Sequence, residues 1–355
     1  MPLLLTQGVI AVTIGVMSSV ANTVRVDWQR SGDGIVVADD GSAPSTAGRD
    51  WKAVLSEREI RELHRVNNLR GLWSLAVNWG IVAAAMALVA AWPNLLTVVF
   101  ALFVIGARQL GFAVLMHEAS HGALLSTRRA NDLVGNWLCA YPVWSDIAPY
   151  RPYHLEHHRF NWTDEDPDRN LTRPFPISRA SMKRKLWRDL SGQTGWKRAK
   201  ATLQRDLSIS KGRARRRESA DSFTYNNLLG VLSTNAALLA LLTAVGHPLL
   251  YLLWPVAWLT TYSLAMRIRS INEHSMIADP ADPLQNARTT LASWWERLLL
   301  APNRVNYHLE HHLFMAVPLY RLPTMHRLLK ERGVLDGACI VRGYADTLRL
   351  AAGRP

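Results

Sequence analysis

Four long apolar stretches, separated by strongly polar segments, constrain the fold of this chain more than any other feature. They cover residues 73–92, 93–116, 226–246 and 249–266. A bilayer core about 30 Å thick needs roughly 20 helical residues with a rise of about 1.5 Å each, and each stretch is close to that length. We therefore predict an all-α membrane protein with about four transmembrane helices and additional interfacial helices.

The N-terminal region differs in character from the rest of the chain. An apolar run at 9–20 has no basic segment before it and no cleavage site after it, so it is not typical of a signal peptide. Residues 31–48 are rich in Gly, Ser, Ala and Asp, which is typical of a flexible linker. The predicted division is an N-terminal extension with its linker (1–50), a membrane domain (51–335) and a C-terminal tail (336–355).

Two shorter segments are predicted to lie at the membrane without crossing it. Ser56 and Glu59 form an S-x-x-E capping pattern ahead of apolar residues at helical spacing, which indicates the start of an amphipathic helix. The apolar piece at 131–144 is too short to span comfortably and contains Pro142. We interpret it as a re-entrant or interfacial segment.

Basic residues are concentrated in one segment and predict an orientation. Residues 179–217 contain 14 Lys and Arg against only Asp189 and Asp206, so the segment carries 14 − 2 = +12 of the chain's +13. Basic segments near spans stay on the cytoplasmic side, and four spans place both termini and all histidine clusters on that side. The segment has no nucleic-acid-binding fold around it, so contact with anionic lipid, a phosphate headgroup or an acidic electron donor is the expected role.

The chain shows no redox cofactor motif of its own. Cys139 and Cys339 are the only cysteines, and they do not form a C-x-x-C pattern that would hold an iron–sulfur cluster. A G-x-G-x-x-G signature after a strand is also missing. Reducing equivalents must therefore come from an external donor.

Nine of the 12 histidines lie in compact groups. The groups are His117/His121, His154/His157/His158, His274 and His308/His311/His312. Spacings of three and four residues give the members of a group a common direction on a helix. The other three histidines, His64, His247 and His326, are single and predict ordinary surface or core positions.

The hexapeptide Tyr-His-Leu-Glu-His-His occurs at 153–158 and again at 307–312. No larger repeat surrounds the copies, so we expect one copy to contribute to each of two metal ions. Packing nine imidazoles without a cation would leave many polar nitrogens unsatisfied. A single structural zinc needs about four ligands, and imidazole suits Fe, Cu, Zn and Ni alike, so the residues indicate two ions without choosing the metal.

The three boxes HEASH (117–121), HLEHH (154–158) and HLEHH (308–312), with apolar spans between them, resemble the membrane fatty-acid desaturase and hydroxylase superfamily. The similarity runs over about 72–329 and includes His274 at the position of the additional family histidine. The resemblance implies a non-haem di-iron centre held by the nine histidines, with O2 as co-substrate. It also implies an external donor of the ferredoxin or cytochrome b5 type.

Several polar residues near the boxes are candidates for supporting the ligands by hydrogen bonds to the imidazoles. They are Glu118, Glu156, Glu273, Glu310, Asp166 and Asn306. Direct ligation or salt bridges on the helix surface are the alternatives for the glutamates. An ordinary turn is the alternative for the acidic run at 164–168.

Arg108 and Trp144 are candidate substrate or interface residues. A charged side chain inside a span is costly, so Arg108, like Arg267 and Arg269, marks either the cytoplasmic boundary of its helix or an inward-facing position. At the boundary, Arg108 would place His117 roughly 14 Å above the membrane. Residues 111–116 would then line the route of a lipid chain into a cap that carries the metal site.

These features together predict an oxidoreductase that uses O2 and external electrons to desaturate a long acyl chain on a lipid or thioester. A lipid or carotenoid hydroxylase or ketolase on the same scaffold is the alternative. A non-enzymatic metal or haem protein is disfavoured, because such proteins hold their histidines on facing spans, whereas here they collect at and beyond the span ends.

Overall fold

The computed structural model describes residues 28–31, 34–37, 51, 53–207 and 225–353. The predictions for the apolar run at 9–20 and for most of the linker lie outside these residues. Fifteen α-helices occur in the described part of the chain. They are α1 (Glu57–His64), α2 (Asn68–Ala91), α3 (Leu95–Ser120), α4 (Arg128–Gly135), α5 (Ile147–Phe160), α6 (Arg169–Thr172), α7 (Arg179–Leu190), α8 (Gln193–Asp206), α9 (Tyr225–Ala244), α10 (Leu253–Leu259), α11 (Thr261–His274), α12 (Trp294–Leu299), α13 (His308–Leu313), α14 (Leu322–Glu331) and α15 (Tyr344–Ala351).

Two short structures precede the membrane helices. β1 (Trp28–Ser31) and β2 (Gly34–Val37) pair as an antiparallel hairpin. Helix α1 begins with the predicted capping box. The Ser56 hydroxyl accepts the Glu59 N–H at 3.3 Å, and the Glu59 carboxylate accepts the Ser56 N–H at 2.9 Å.

The four predicted spans are confirmed as helices long and apolar enough to cross a membrane. They are α2, α3, the described part of α9, and a composite of the 3₁₀ turn Pro248–Leu252 with α10 and α11. The composite span breaks at Thr260, which has φ −109° and ψ −87°. The Thr260 hydroxyl donates to the Val256 carbonyl at 2.6 Å, a local bond that competes with regular helix geometry.

Helix α3 is the central span. Two thirds of its apolar window (67%) is buried, against 22% in α9, so α9 has far more surface to present to lipid. Gly106 permits close packing of α3 on α11, because a Cβ there would lie 2.7 Å from the Tyr262 backbone nitrogen. The Thr261 hydroxyl fills this contact and donates to the Leu102 carbonyl at 2.6 Å.

The segment predicted as re-entrant or interfacial forms α4, a π turn (Asn136–Ala140) and a 3₁₀ turn (Tyr141–Val143). Its irregular carbonyls are satisfied within the protein. The indole N–H groups of Trp254 and Trp258 donate to the carbonyls of Pro142 and Val143 at 2.9 and 2.8 Å. Such pairing is what irregular backbone near a bilayer requires.

The described part of the basic segment forms two helices, α7 and α8. Its two acidic residues are buried and used internally. Asp189 accepts from Arg267 of α11 at 2.9 Å, and Asp206 accepts from Asn227 of α9 at 3.3 Å. The charged side chains exposed on α7 and α8 are therefore basic, and exposed apolar residues such as Trp187 and Trp196 lie among them.

The C-terminal residues pack onto the body of the protein. β3 (Thr289–Leu291) pairs in parallel with β4 (Ile340–Arg342), and α15 packs against α11. Tyr344 is 1% exposed. The predicted C-terminal tail (336–355) therefore contributes β4 and α15, which lie behind the third histidine box.

Candidate metal centre

Four separate elements bring the nine predicted histidines together. His117 and His121 come from the end of α3, and His274 is the last residue of α11. The remaining six come from α5 and α13. They form two groups of potential ligand atoms, each within 4.8 Å: His117, His121, His154, His158 and His311, and then His157, His274, His308 and His312.

The expectation that each hexapeptide serves one ion is wrong for this geometry. His154 and His158 of the first copy lie in the five-histidine group, whereas His157 lies in the four-histidine group. The second copy divides in the same way, with His311 in one group and His312 in the other. Adjacent helical residues point about 100° apart, so neighbouring histidines face different partners.

Within the five-histidine group, four Nε2 atoms form a closed ring. The separations are 2.9 Å for His117–His311 and 3.0 Å for His311–His158, His158–His154 and His154–His117. The fifth member, His121, has a buried Nε2 with no hydrogen-bond partner. All five imidazoles therefore direct a nitrogen at a common point.

The Nε2 atoms of the four-histidine group are similarly close together. Nε2 of His274 lies 3.2 Å from that of His157 and 2.7 Å from that of His308. His312 Nε2 lies 3.2 Å from His308 Nε2. The rings of His158 and His312, one from each group, have centroids 4.3 Å apart, so the two groups adjoin.

These separations fit two cations better than a hydrogen-bonded imidazole cluster. Each Nε2 carries either one proton or one lone pair, so it cannot make two good hydrogen bonds to neighbouring Nε2 atoms. Two nitrogens at right angles around an ion at about 2.1 Å would lie about 3.0 Å apart. Burial lowers the pKa of His158 to about 2 and of His121 to about 4, which keeps their lone pairs available.

Asp166 lies where a supporting carboxylate was expected. His157 Nδ1 donates to Asp166 Oδ1 at 2.8 Å, which fixes the proton on Nδ1 and leaves the Nε2 lone pair directed into the group. Backbone N–H groups of Trp162 and Asp168 donate to the same carboxylate, both at 2.9 Å. Burial raises the pKa of Asp166, but the His157 bond and these donors outweigh it and lower the pKa below its usual value.

Glu273 and Glu310 occupy two different positions. Glu273 accepts from Arg269 at 2.6 Å, and its other oxygen lies 3.6 Å from His308 Nε2. Glu310 lies behind the third box, where His326 Nδ1 donates to it at 2.6 Å and the Thr289 hydroxyl also donates. Glu273 thus lies at the edge of the centre, and Glu310 anchors α13 to α14 and β3.

The other three candidates differ from one another in their surroundings. Glu118 accepts the backbone N–H of Leu319 at 3.0 Å. Asn306 donates to the Thr290 carbonyl at 2.9 Å and so holds β3. Glu156 is exposed, because it points away from the side of α5 that buries His154.

Arg108 points into the helix bundle, in agreement with the inward-facing alternative. It is 4% exposed and donates to Asn78 Oδ1 at 3.3 Å and to the Leu298 carbonyl. Residues 111–116 are largely buried and do not face lipid. Trp144 donates to Asp206 at 3.0 Å, a contact that joins the segment after α4 to α8.

Three further residues lie around the centre, and the spacing of residues in the sequence did not predict their positions. Trp162 donates its indole N–H to the His274 carbonyl at 2.8 Å. The Tyr150 ring stacks on His154 with centroids 5.2 Å apart. His326, which the sequence placed among ordinary histidines, is the partner of Glu310 and lies 16 residues from it along the chain.

The fold and the site define a helical protein with four candidate membrane spans and nine histidines in two adjoining groups at the span ends. A family model described as fatty acid desaturase matches residues 90–339. The chain belongs to the fatty acid desaturase family.

Characterised relatives include both desaturases and a ketolase. Dihydrorhizobitoxine desaturase of Bradyrhizobium elkanii is 27% identical over 78% of this chain and 81% of its own length. The sn-1 oleoyl-lipid 12-desaturase of a Picosynechococcus species is 25% identical over 76% and 80%. A beta-carotene ketolase of a Paracoccus species is 28% identical over 71% and 91%.

Proposed function

We propose that this protein desaturates a long fatty acyl chain, carried on a lipid or a thioester, at a di-iron centre held by the nine histidines. The observation that carries the proposal is the convergence of nine ring nitrogens in two adjoining groups with spacings suited to two ions. With two iron ions bound there, O2 and external electrons would supply the oxidising power to break unactivated C–H bonds. Family membership supports iron over the other metals that imidazole accepts.

The residues of this chain orient the imidazoles, set their protonation state and exclude water from the centre. His117 and His308 are each 2% exposed, whereas His121, His158 and His312 are partly exposed, so the protein shields most of the centre from bulk water. Asp166 holds His157 in one tautomer. The apolar residues that precede His117 on α3 are close to the imidazoles along the chain, and we assign to them the guidance of a methylene pair.

We further propose that the centre lies on the cytoplasmic side. The cationic outer surface of α7 and α8 supports this orientation, since basic segments stay on that side. The same surface would attract an acidic donor of the ferredoxin or cytochrome b5 type, or the headgroups of anionic lipids.

Oxygenation of a carotenoid or another lipid is the second candidate. The observation that favours it is the beta-carotene ketolase, whose identity to this chain, 28%, is close to the 27% and 25% of the two desaturases. Product analysis separates the candidates. A host fed isotope-labelled fatty acid should gain a lipid two hydrogens lighter when it expresses the wild type.

Two variants complete the experiment. His157→Ala should abolish the new product, whereas His247→Ala should not, because His247 is exposed and lies outside both groups. A product that gains oxygen without new unsaturation would reject desaturation and support the second candidate. Equal product from wild type and His157→Ala would reject the histidine centre as the source of activity.

A further inference from the structure

A cavity of about 340 Å³ lies between the first turns of α2, the last turns of α3 and two loops at 303–304 and 319–320. On α3 it is lined by Leu115 and Glu118, whereas His117 and His121 point into the histidine groups from a different face of the helix. The cavity is thus separate from the proposed metal centre. Its wall is largely apolar and includes Val77 and Leu124.

One arginine lines this cavity and two more lie beside it. Arg304 lines it directly. The guanidinium groups of Arg70 and Arg321 lie 5.5 and 5.8 Å from the centroid of the Tyr320 ring, which also lines the cavity. Among the described residues none of these three arginines forms an ion pair with a carboxylate, and the one acid in the wall, Glu118, accepts the Leu319 N–H.

The backbone that presents Arg304 is held in an unusual conformation. Asn303 and Arg304 have φ values of 57° and 68°, in the left-handed region that residues other than glycine rarely adopt. Asn303 is fixed by two hydrogen bonds, to the Gly111 carbonyl and from Asn78, both at 2.9 Å. The position of Arg304 at the rim is therefore built into the packing of α2 and α3.

The cavity lies at the ends of α2 and α3 that face the histidines, near the membrane surface. Trp73, at the same level of α2, is 70% exposed, which is typical of a residue in the interfacial region of a bilayer. A headgroup phosphate at this level would meet the arginines, and an acyl chain would follow the apolar wall. Arginine is the side chain best suited to bind phosphate oxygens.

We propose that this cavity binds one anionic glycerophospholipid, with its phosphate on Arg304, Arg70 and Arg321 and a chain against Leu115 and Val77. The bound lipid stabilises the loop that ends four residues before His308. The inference does not rest on the proposed function, because its readout is lipid binding and not turnover.

Native mass spectrometry of the full chain tests the proposal, with dioleoyl phosphatidylglycerol as the probe and dioleoyl phosphatidylcholine as the neutral comparison. We expect one phosphatidylglycerol retained per chain in preference to phosphatidylcholine. Arg304→Gln should weaken its apparent affinity about tenfold, the effect of losing one charge-assisted contact. Arg297→Gln, an exposed arginine outside the cavity wall, is the matched control and should bind as the wild type does.

Arg304→Lys keeps the charge and should recover part of the affinity, which distinguishes lost binding from lost folding. Equal retention of the two lipids by the wild type would overturn the proposal, as would unchanged affinity in Arg304→Gln. Displacement of the lipid by millimolar inorganic phosphate would also overturn it, since a bare anion site needs no acyl chain.

Discussion

At the scale of single residues, the histidine centre depends on side chains that set the direction of each imidazole. His157 is held from its Nδ1 side by Asp166, and α13 is held from behind by the Glu310–His326 pair. Both carboxylates are buried and receive more than one donor. Buried polar groups of this kind are costly when one partner is removed.

Asp166→Asn should lower the affinity of the four-histidine group for metal by about 10- to 100-fold, because the amide cannot hold His157 in the same charged hydrogen bond. Metal content measured after equilibration at a series of free Fe²⁺ concentrations checks this. Asp164→Asn is the matched control, since the Asp164 side chain is 83% exposed. Equal metal affinity in the two variants would contradict the role given to Asp166.

His326→Ala should destabilise the fold by about 2 kcal/mol, because it leaves a fully buried Glu310 oxygen without its donor. Denaturant unfolding in mixed micelles measures the change. His64→Ala should cost clearly less, since His64 donates to the Ile60 carbonyl within the short surface helix α1. A loss no greater than that of the control would show that Glu310 is satisfied in another way.

At the scale of elements, α3 carries both the packing of the membrane helices and two of the histidines. Its glycines are the points of closest approach to its neighbours. Gly106 packs on α11, and a Cβ at Gly111 would clash with the Asn78 side chain of α2. A shift of α3 at either point would also move His117.

Gly106→Ala should therefore destabilise the protein by about 2 to 3 kcal/mol through overpacking against Tyr262. Gly80→Ala is the natural control, because a Cβ at Gly80 meets nothing within 4 Å. We expect that change to be neutral or to stabilise by up to about 1 kcal/mol from helix propensity. Thermal unfolding of the two variants in the same detergent gives the comparison, and equal effects would rule out tight α3–α11 packing.

At the scale of the whole molecule, the centre ties together elements that are far apart in the chain. Its ligand candidates lie on α3, α5, α11 and α13, between residues 117 and 312. Such a set of ligands exists only in the folded protein, so an ion bound to it stabilises the folded state relative to the unfolded state. Metal content and global stability are therefore expected to change together.

Removal of metal with a chelator should lower the unfolding temperature and abolish turnover. At metal concentrations 100-fold above Kd, each site would add about 2.7 kcal/mol. Adding back Fe²⁺ should restore both, whereas Mg²⁺ should not, because Mg²⁺ prefers oxygen ligands. Unchanged stability after complete removal of metal would contradict a centre built from all four elements.

Labelling of single cysteines in whole cells tests the orientation. Lys200→Cys, exposed on α8, should react with an impermeant maleimide only after lysis, and Val245→Cys, exposed at the opposite end of the spans, should react in intact cells. The native Cys139 and Cys339 are buried and should give little background. The reverse pattern would place the histidines outside the cytoplasm.

The sequence by itself determined the features that depend on local pattern and residue chemistry. Span length and helical spacing predicted the membrane helices, and Ser56 with Glu59 predicted the start of α1. The same spacing selected the nine histidines that the structure brings together. These properties are set within a few turns of one helix, so they can be inferred without knowing the packing.

Only the tertiary structure decided how the elements share their side chains. It placed adjacent His157 and His158 in different groups, turned Arg108 inward, and paired His326 with Glu310. Each outcome depends on which surfaces of distant helices meet. A one-dimensional pattern does not contain that information, because packing and burial arise from the whole chain at once.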